Sequence, residues 1–331
     1  MDATTTTTSQ NPRCQKCANG GHVIKWGKDA DGHQRFRCKT CGATFANRPP
    51  RPLGNHRIPL ERGLLVLNLL TEGSSMRAIE RVTGTHRDTI GRLLRTVGDR
   101  CAALLDSIQG VEVADVQCDE VWGFVAMKQK TKNRKQITDP KIGDAWCFVA
   151  VDRESKLALA HHLGQRTGED AEVFTRKLAG TISEASAPQI STDGLGAYIA
   201  PMESHFDGRG SYGQLIKYYG ENTKEDQRRY SPASITGTEK LAVFGDVEEE
   251  RICTSHVERG NLTIRTHMRR MTRLTCAFSK KWENLRAAFA LHFASYNFVK
   301  FNRSIRMTPA MKAGVVAKPW SMADLVMATA A

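Results

Sequence analysis

Three carboxylates stand where a centre that cuts phosphodiesters would need them. Asp119 closes an alternating, β-branched stretch at Cys118-Asp119-Glu120-Val121-Trp122. Asp193 closes a short run at Ser191-Thr192-Asp193-Gly194, and Glu258 lies in the first turn of an expected helix over residues 256–275. A strand that gives way to a turn can present its last side chain to a cleft. Two aspartates and a glutamate from separate elements therefore make an oxygen-rich site of the kind Mg²⁺ or Mn²⁺ accepts. Two such ions about 4 Å apart would activate a nucleophile and stabilise the leaving oxygen in an in-line attack. Carboxylates alone would repel the phosphate, so the ions belong to the expectation. Each residue also has a plainer reading: Asp119 as a strand-end cap, Asp193 as a turn residue, the Glu258 helix as a solvated charged face.

A second metal site is written in cysteine. Cys14–Cys17 and Cys38–Cys41 form two C-x2-C pairs separated by twenty residues, a spacer long enough for a hairpin to close them on one tetrahedral ion. All four ligands are thiolates, which leaves no open position, so the expected Zn²⁺ is structural. Trp26, Phe36 and Phe45 supply only a small core beside it. The other five of nine cysteines are scattered in apolar or helical contexts. That is the usage of a reducing compartment with one metal site, and it argues against a disulfide framework.

The bulk numbers narrow the partners. The chain has 331 residues, a net charge of +13 and a pI near 9.4, which favours a polyanion. No run approaches the ~20 apolar residues of a membrane span. The opening MDATTTTTSQNP lacks the basic start and apolar core of a secretory signal, so residues 1–12 read as a disordered tail.

The elements that must position these groups follow in order. A zinc ribbon is expected over 13–46 and a proline-rich linker over 47–57. Leu64, Leu65, Leu67 and Leu69 mark a first helix, and Met76, Ala78, Ile79 and Val82 a second. A turn at Gly84 leads to a third helix, marked by Ile90, Leu93, Leu94 and Val97. This is the helix-turn-helix layout over 58–108, with Arg87, Arg92 and Arg95 as the candidate DNA-reading residues. From Gly110 the texture becomes a three-strand meander, a helix, and a strand ending in Asp193: an α/β core over 111–305 with one sheet and helices on it. Residues 203–255 read as an insertion, with candidate strands at Gln214–Tyr219 and Leu241–Phe244 on either side of a polar loop from Gly220 to Gly237, and residues 306–331 as a poorly specified tail. On the 256–275 helix, Val257, Ile264, Met268 and Met271 form an apolar stripe, and Glu258, Asn261, Arg265 and Arg269 line one flank.

Taken together, CDEVW, STDG, VERGNLTIRTHMRRMTRLTCAFSKKWEN and ALHFASYNFVKFN resemble bacterial insertion-sequence transposases of the IS-one family. The resemblance spans nearly the whole chain, since that family also opens with a four-cysteine zinc ribbon and a helix-turn-helix. It implies an RNase H-like catalytic core with a DDE triad at Asp119, Asp193 and Glu258. Arg265, seven residues after Glu258, falls where DDE transposases commonly carry a Lys or Arg that contacts transposon-end DNA, with Asn261 beside it as a further candidate contact. The implied activity is metal-dependent strand cleavage and transfer on terminal inverted repeats and target DNA, by a homo-oligomer in the bacterial cytoplasm, associated with the nucleoid and not with a membrane. Two departures stand out: the founding members join their two parts through a frameshift, and residues 205–253 exceed a minimal DDE core. The competing reading is a sequence-specific DNA-binding regulator derived from a transposase. A structure-selective nuclease on the same fold is the third.

Overall fold

The computed structural model describes residues 12–14, 16–18, 22–30, 32–46, 51–220 and 234–330. The expected tail up to residue 11, residues 47–50 of the linker and residues 221–233 of the polar loop lie outside them. The chain divides into two compact units, Met1–Arg51 and Pro52–Ala331.

In the first unit, β1 (Val23–Lys28), β2 (Gln34–Cys38) and β3 (Thr44–Ala46) form an antiparallel sheet. Its buried apolar set is Cys14, Val23, Phe36 and Cys38, with Phe45 stacked on Phe36 at 5.8 Å. So few buried side chains give an element of this size little stability of its own.

The second unit begins with three helices. Helix α1 (Leu60–Thr71) buries Val66 and Leu67. Helix α2 (Met76–Thr83) starts where the Ser75 hydroxyl accepts from the Ala78 N–H, and it ends on Gly84 at φ 66°, a left-handed cap that suits glycine. Helix α3 (Arg87–Asp106) is the longest and buries Ile90, Leu93, Leu94, Val97, Cys101 and Leu105. Its apolar stripe does not stop at α1 and α2. Gly98 sits directly on Ala287 of α8 (Trp282–Ala294), where a Cβ on Gly98 would lie 2.4 Å from the Ala287 carbonyl oxygen. The three helices therefore share one core with the sheet domain, and the compact unit has no break near residue 108.

The sheet has six strands in the order β6-β5-β4-β7-β8-β9. They are β4 (Asp115–Val125), β5 (Gly143–Asp152), β6 (Ala158–Gly164), β7 (Gln189–Asp193), β8 (Ser211–Tyr219) and β9 (Ile235–Phe244). Strands β4, β5 and β6 form the antiparallel meander; β4, β7 and β8 run parallel; β9 returns antiparallel along β8. Side-chain alternation sends Phe148 of β5 to one face, against Phe174 of α5 (Gly168–Thr181) and Tyr198. On the other face Gln117 accepts from the His256 and Val257 N–H groups at the start of α7 (Ser255–His267). On that face too, His161 of β6 meets Phe293 of α8. Helices thus cover both faces.

Several expected boundaries are corrected. The helix drawn over 256–275 ends at His267; Arg269–Met271 is a separate 3-10 turn, yet Val257, Ile264, Met268 and Met271 are all buried as the stripe requires. The segment over 203–255 is largely built into the sheet: α6 (Ile199–Phe206) leads into β8, and β9 forms its edge. Between β4 and β5, the basic stretch over 128–141 carries a short helix, α4 (Gln129–Arg134). The stretch after residue 306 carries α9 (Pro309–Lys312) and α10 (Met322–Ala328), whose Met322, Leu325 and Val326 enter the main core. Spaced apolar residues in that short stretch were too few to signal a helix without the partner they pack on. Among the described residues no helix is long and apolar enough to cross a membrane.

The Gly98–Ala287 contact makes a testable statement about the core. Gly98→Val must push apart two backbones and should destabilise the protein by about 1–3 kcal/mol, whereas Gly180→Ala, whose added Cβ meets nothing within 4 Å, should not lower the melting temperature.

Candidate functional site

The site arises from where two parallel strands stop pairing. β4 and β7 are matched at Asp115–Gln189, Val116–Ile190 and Gln117–Ser191, and no further. Beyond that point β4 continues along β5 as far as Val125, while β7 keeps to β8 as far as Asp193. Asp119 and Asp193 each lie two residues past the last matched pair, so the register sets them side by side at the mouth of the split. Carboxylate oxygens of Asp119, Glu120 and Asp193 all lie within 4.8 Å of one another. Glu120 was not anticipated. As a neighbour of Asp119 it should have pointed to the opposite face, but at the open edge of β4 both can turn into the gap.

Like charges in a half-enclosed space dominate the electrostatics. Burial, then the charges of Glu120 and Asp193, push the Asp119 carboxyl up to about 7, with Glu258 adding to the rise. Its oxygens are fixed: Oδ1 accepts from the Glu120 N–H at 2.8 Å and Oδ2 from Asn261 Nδ2 at 2.8 Å. Burial and the charge of Asp193 also raise Glu120, against the opposing pull of the Tyr198 hydroxyl and Arg166. The Glu120 carboxylate and the Tyr198 hydroxyl are enclosed together and act on each other.

Cations of the chain neutralise part of this charge. Arg166 donates from Nε to Glu120 Oε2 at 3.0 Å and from Nη2 to Asp193 Oδ2 at 3.2 Å. Glu258, exposed on the first turn of α7, accepts from the Thr254 hydroxyl at 2.6 Å and from Lys217 of β8. It is close enough to act on Asp119 yet stands outside the 4.8 Å cluster. Neither Arg166 nor Lys217 carried any signal in the sequence, because both come from elements distant in the chain and only the sheet order brings them here.

The donor set suits divalent ions. Three carboxylates crowd one another, with Glu258 near by, and burial together with their charges raises Asp119; a hard cation would relieve both. The cysteines fit zinc as well. Cys14 and Cys41 sulfurs are 3.6 Å apart, and Cys17 and Cys38 sulfurs 3.7 Å. A tetrahedron with Zn–S bonds of about 2.3 Å has edges of about 3.8 Å. Backbone N–H groups of Cys41 and Thr40 outweigh burial and bring the Cys38 thiol down to about 6, which favours the thiolate that a metal needs.

The remaining candidates fall into two groups. Arg87, Arg92 and Arg95 are exposed on α3, and Arg87 lines an open cleft of about 820 Å³ shared with Arg77, Arg269, Arg270 and Lys280, with Asp88 as its one carboxylate. Asn261 and Arg265 are instead engaged inside the protein. Asn261 holds Asp119, and Arg265 donates to the carbonyls of Met271 and Trp122, tying the turn after α7 back onto β4. Arg270, half-buried, is held in the same way, on Ser279 Oγ and the Asn284 carbonyl. Exposed on this segment are Arg259, Arg269 and Arg273.

No protein-family model matches the sequence, and no curated protein matches it. Among solved structures the chain is similar to that titled "Cryo-EM structure of piggyBac transposase synaptic complex with hairpin DNA", at 12% identity and a TM-score of 0.36, covering 83% of this chain and 71% of that one.

Two outcomes test the site without any substrate. The protein should carry about one zinc per chain by elemental analysis, and Cys38→Ser should lose it; full retention would rule out the assignment. Crowding at Asp119 should also cost stability. Its folded pKa lies above the ordinary value, so its favourable contribution is complete below about pH 4 and is lost as pH rises through about 7. In metal-free protein Asp119→Asn should therefore raise the unfolding free energy at pH 8 by on the order of 1 kcal/mol, read by denaturant titration, and leave it nearly unchanged at pH 4.

Proposed function

We propose that this chain is a DNA transposase of the bacterial insertion-sequence type, which cleaves transposon ends with water and joins the freed 3′ hydroxyl to target DNA. The observation that carries the reading is the register of β4 against β7, which sets Asp119 beside Asp193 at the mouth of a parallel-strand split. The strand order, a meander followed by parallel strands with helices on both faces, supports an RNase H-like core over 111–305. Asp119, Asp193 and Glu258 are the proposed triad. They would hold two divalent ions, whose chemistry is to activate the attacking oxygen and offset charge on the leaving one.

The chain's own residues prepare that site. Asn261 fixes the outer oxygen of Asp119, and the backbone of Glu120 fixes the inner one. Thr254 orients Glu258, and Lys217 screens it until another cation arrives. The exposed Arg87, Arg92 and Arg95 of α3 suit a helix read against the major groove, and the basic cleft beside α3 suits the phosphates that flank it. Arg265 reaches DNA in this reading only by leaving its carbonyl partners; in the free protein it braces the turn at Met271. The cysteine unit is a zinc ribbon, structural in role. The protein works on double-stranded DNA, as a homo-oligomer, in the bacterial cytoplasm.

The test is a strand-transfer assay with a labelled terminal inverted repeat, a supercoiled target and Mg²⁺. Asp119→Asn, Asp193→Asn and Glu258→Gln should each bind the labelled end as the wild type does and give neither cleaved nor joined product. Joining by Glu258→Gln at near wild-type rate would reduce Glu258 to a surface partner of Lys217. Binding without cleavage by the wild-type protein would favour the regulator.

A further inference from the structure

A phosphodiester approaching Asp119 and Asp193 meets two carboxylates, and the chain must supply something to receive it. Two cations touch the acidic groups: Lys217 on Glu258 and Arg166 on Glu120 and Asp193. They are built differently. Lys217 is a point charge shared between Glu258 and the Thr254 hydroxyl, both at the start of α7. Arg166 is a planar fork anchored on three sides. Its backbone runs into Thr167, the cap of α5, whose hydroxyl accepts from the Asp170 N–H, while Asp170 also holds the Gln165 N–H. Its guanidinium lies 4.9 Å from the Trp146 ring centre, and its Nε donates to Glu120.

The two ends of the Arg166–Glu120 pair differ in solvent access. The Glu120 side chain is 1% exposed and that of Arg166 37%. Glu120 Oε2 meets Arg166, and the carboxylate's only other neighbouring side-chain donor among the described residues is the buried Tyr198 hydroxyl. Enclosing a carboxylate this way costs desolvation that one ion pair seldom repays, so the pair is better explained by what it orients than by stability. What it orients is the outer edge of the guanidinium, turned toward Asp193.

We propose that Arg166 is a catalytic residue that contacts the scissile phosphate, and that Glu120 is the positioning residue that aims it. The inference rests on the transposase reading above. When Asp193 Oδ2 turns away, Nη2 is released while the Nε bond to Glu120 and the stack on Trp146 keep the plane in place. The freed edge is then a preoriented donor whose fork matches two phosphate oxygens, and it offsets the negative charge that builds on them as the P–O bond breaks.

The experiment uses the full chain and a supercoiled plasmid carrying the DNA that flanks its gene, with Mn²⁺. The cut is mapped and then rebuilt in a duplex oligonucleotide with either a phosphate or a neutral methylphosphonate at that position. Arg166→Ala should lower the cleavage rate on the phosphate by about 10²–10³-fold, with Mn²⁺ affinity, read by electron paramagnetic resonance, no weaker than in the wild type. Arg166→Lys should recover part of the loss, and Glu120→Gln should fall between. On the methylphosphonate the gap between wild type and Arg166→Ala should shrink by about tenfold or more, because the charge that Arg166 meets is gone. Misfolding would not produce that selective rescue. Equal cleavage by wild type and Arg166→Ala, or an equal defect on both substrates, overturns the inference and leaves the transposase reading intact. A wild-type protein that neither cuts DNA nor binds Mn²⁺ in a manner abolished by Asp193→Asn overturns the reading, and this inference with it.

Discussion

Mutual repulsion among Asp119, Glu120 and Asp193 is the term against which the rest of the sheet domain is arranged. Placing three carboxylates within 4.8 Å of one another is unfavourable in any compact protein. The sheet tolerates it because β4 is held along its whole length by β5 and β7 is held by β8, so neither strand needs the other beyond Gln117 and Ser191. Stability comes from elsewhere: the Phe148, Phe174 and Tyr198 cluster on one face and the α7–α8 layer on the other. Arg166 and Lys217 then reduce the charge without filling the gap. The result is a folded site whose unliganded form is under electrostatic strain, which is the condition under which a divalent cation binds with the greatest gain.

Much of this was legible in the sequence. The four cysteines announce their cluster by spacing alone, since ligand chemistry is local to two short pairs. Asp193 could be singled out as a strand-end aspartate before Gly194, but Asp119, read the same way, lies inside β4, which runs on to Val125; what ends near it is only the pairing with β7. The apolar stripe of Val257, Ile264, Met268 and Met271 was right in which residues are buried, although the helix breaks after His267 and the last of them enters from a separate turn. Periodicity reports burial more faithfully than it reports backbone conformation.

What stayed hidden shares one physical cause. Glu120, Arg166 and Lys217 matter through partners 27 to 46 residues away, and no local pattern encodes a contact that only strand order creates. Asn261 and Arg265 were visible as a polar flank, but a flank has no direction until the helix is docked. Once docked, that flank meets Asp119 and the Trp122 carbonyl. The 306–331 stretch was unreadable for a related reason: α10 is short, and its Met322, Leu325 and Val326 become a core only against the other buried side chains they join. The β9 edge was legible only over its last four residues, Leu241–Phe244, because the side chains before them are mostly exposed and polar and lack the apolar alternation that marks a half-buried strand.

The seat of Gly98 on Ala287 has a mechanical consequence. Helix α3 carries the exposed arginines, and α8 lies on the sheet that bears the carboxylates. With no side chain between them, the two helices move as one piece. If α3 fixes its register on a DNA sequence, the sheet is carried to a set distance along the same duplex. On the proposed function, the spacing between the bases that are recognised and the bond that is broken is then a dimension of the protein, a ruler whose zero is set by a glycine and an alanine.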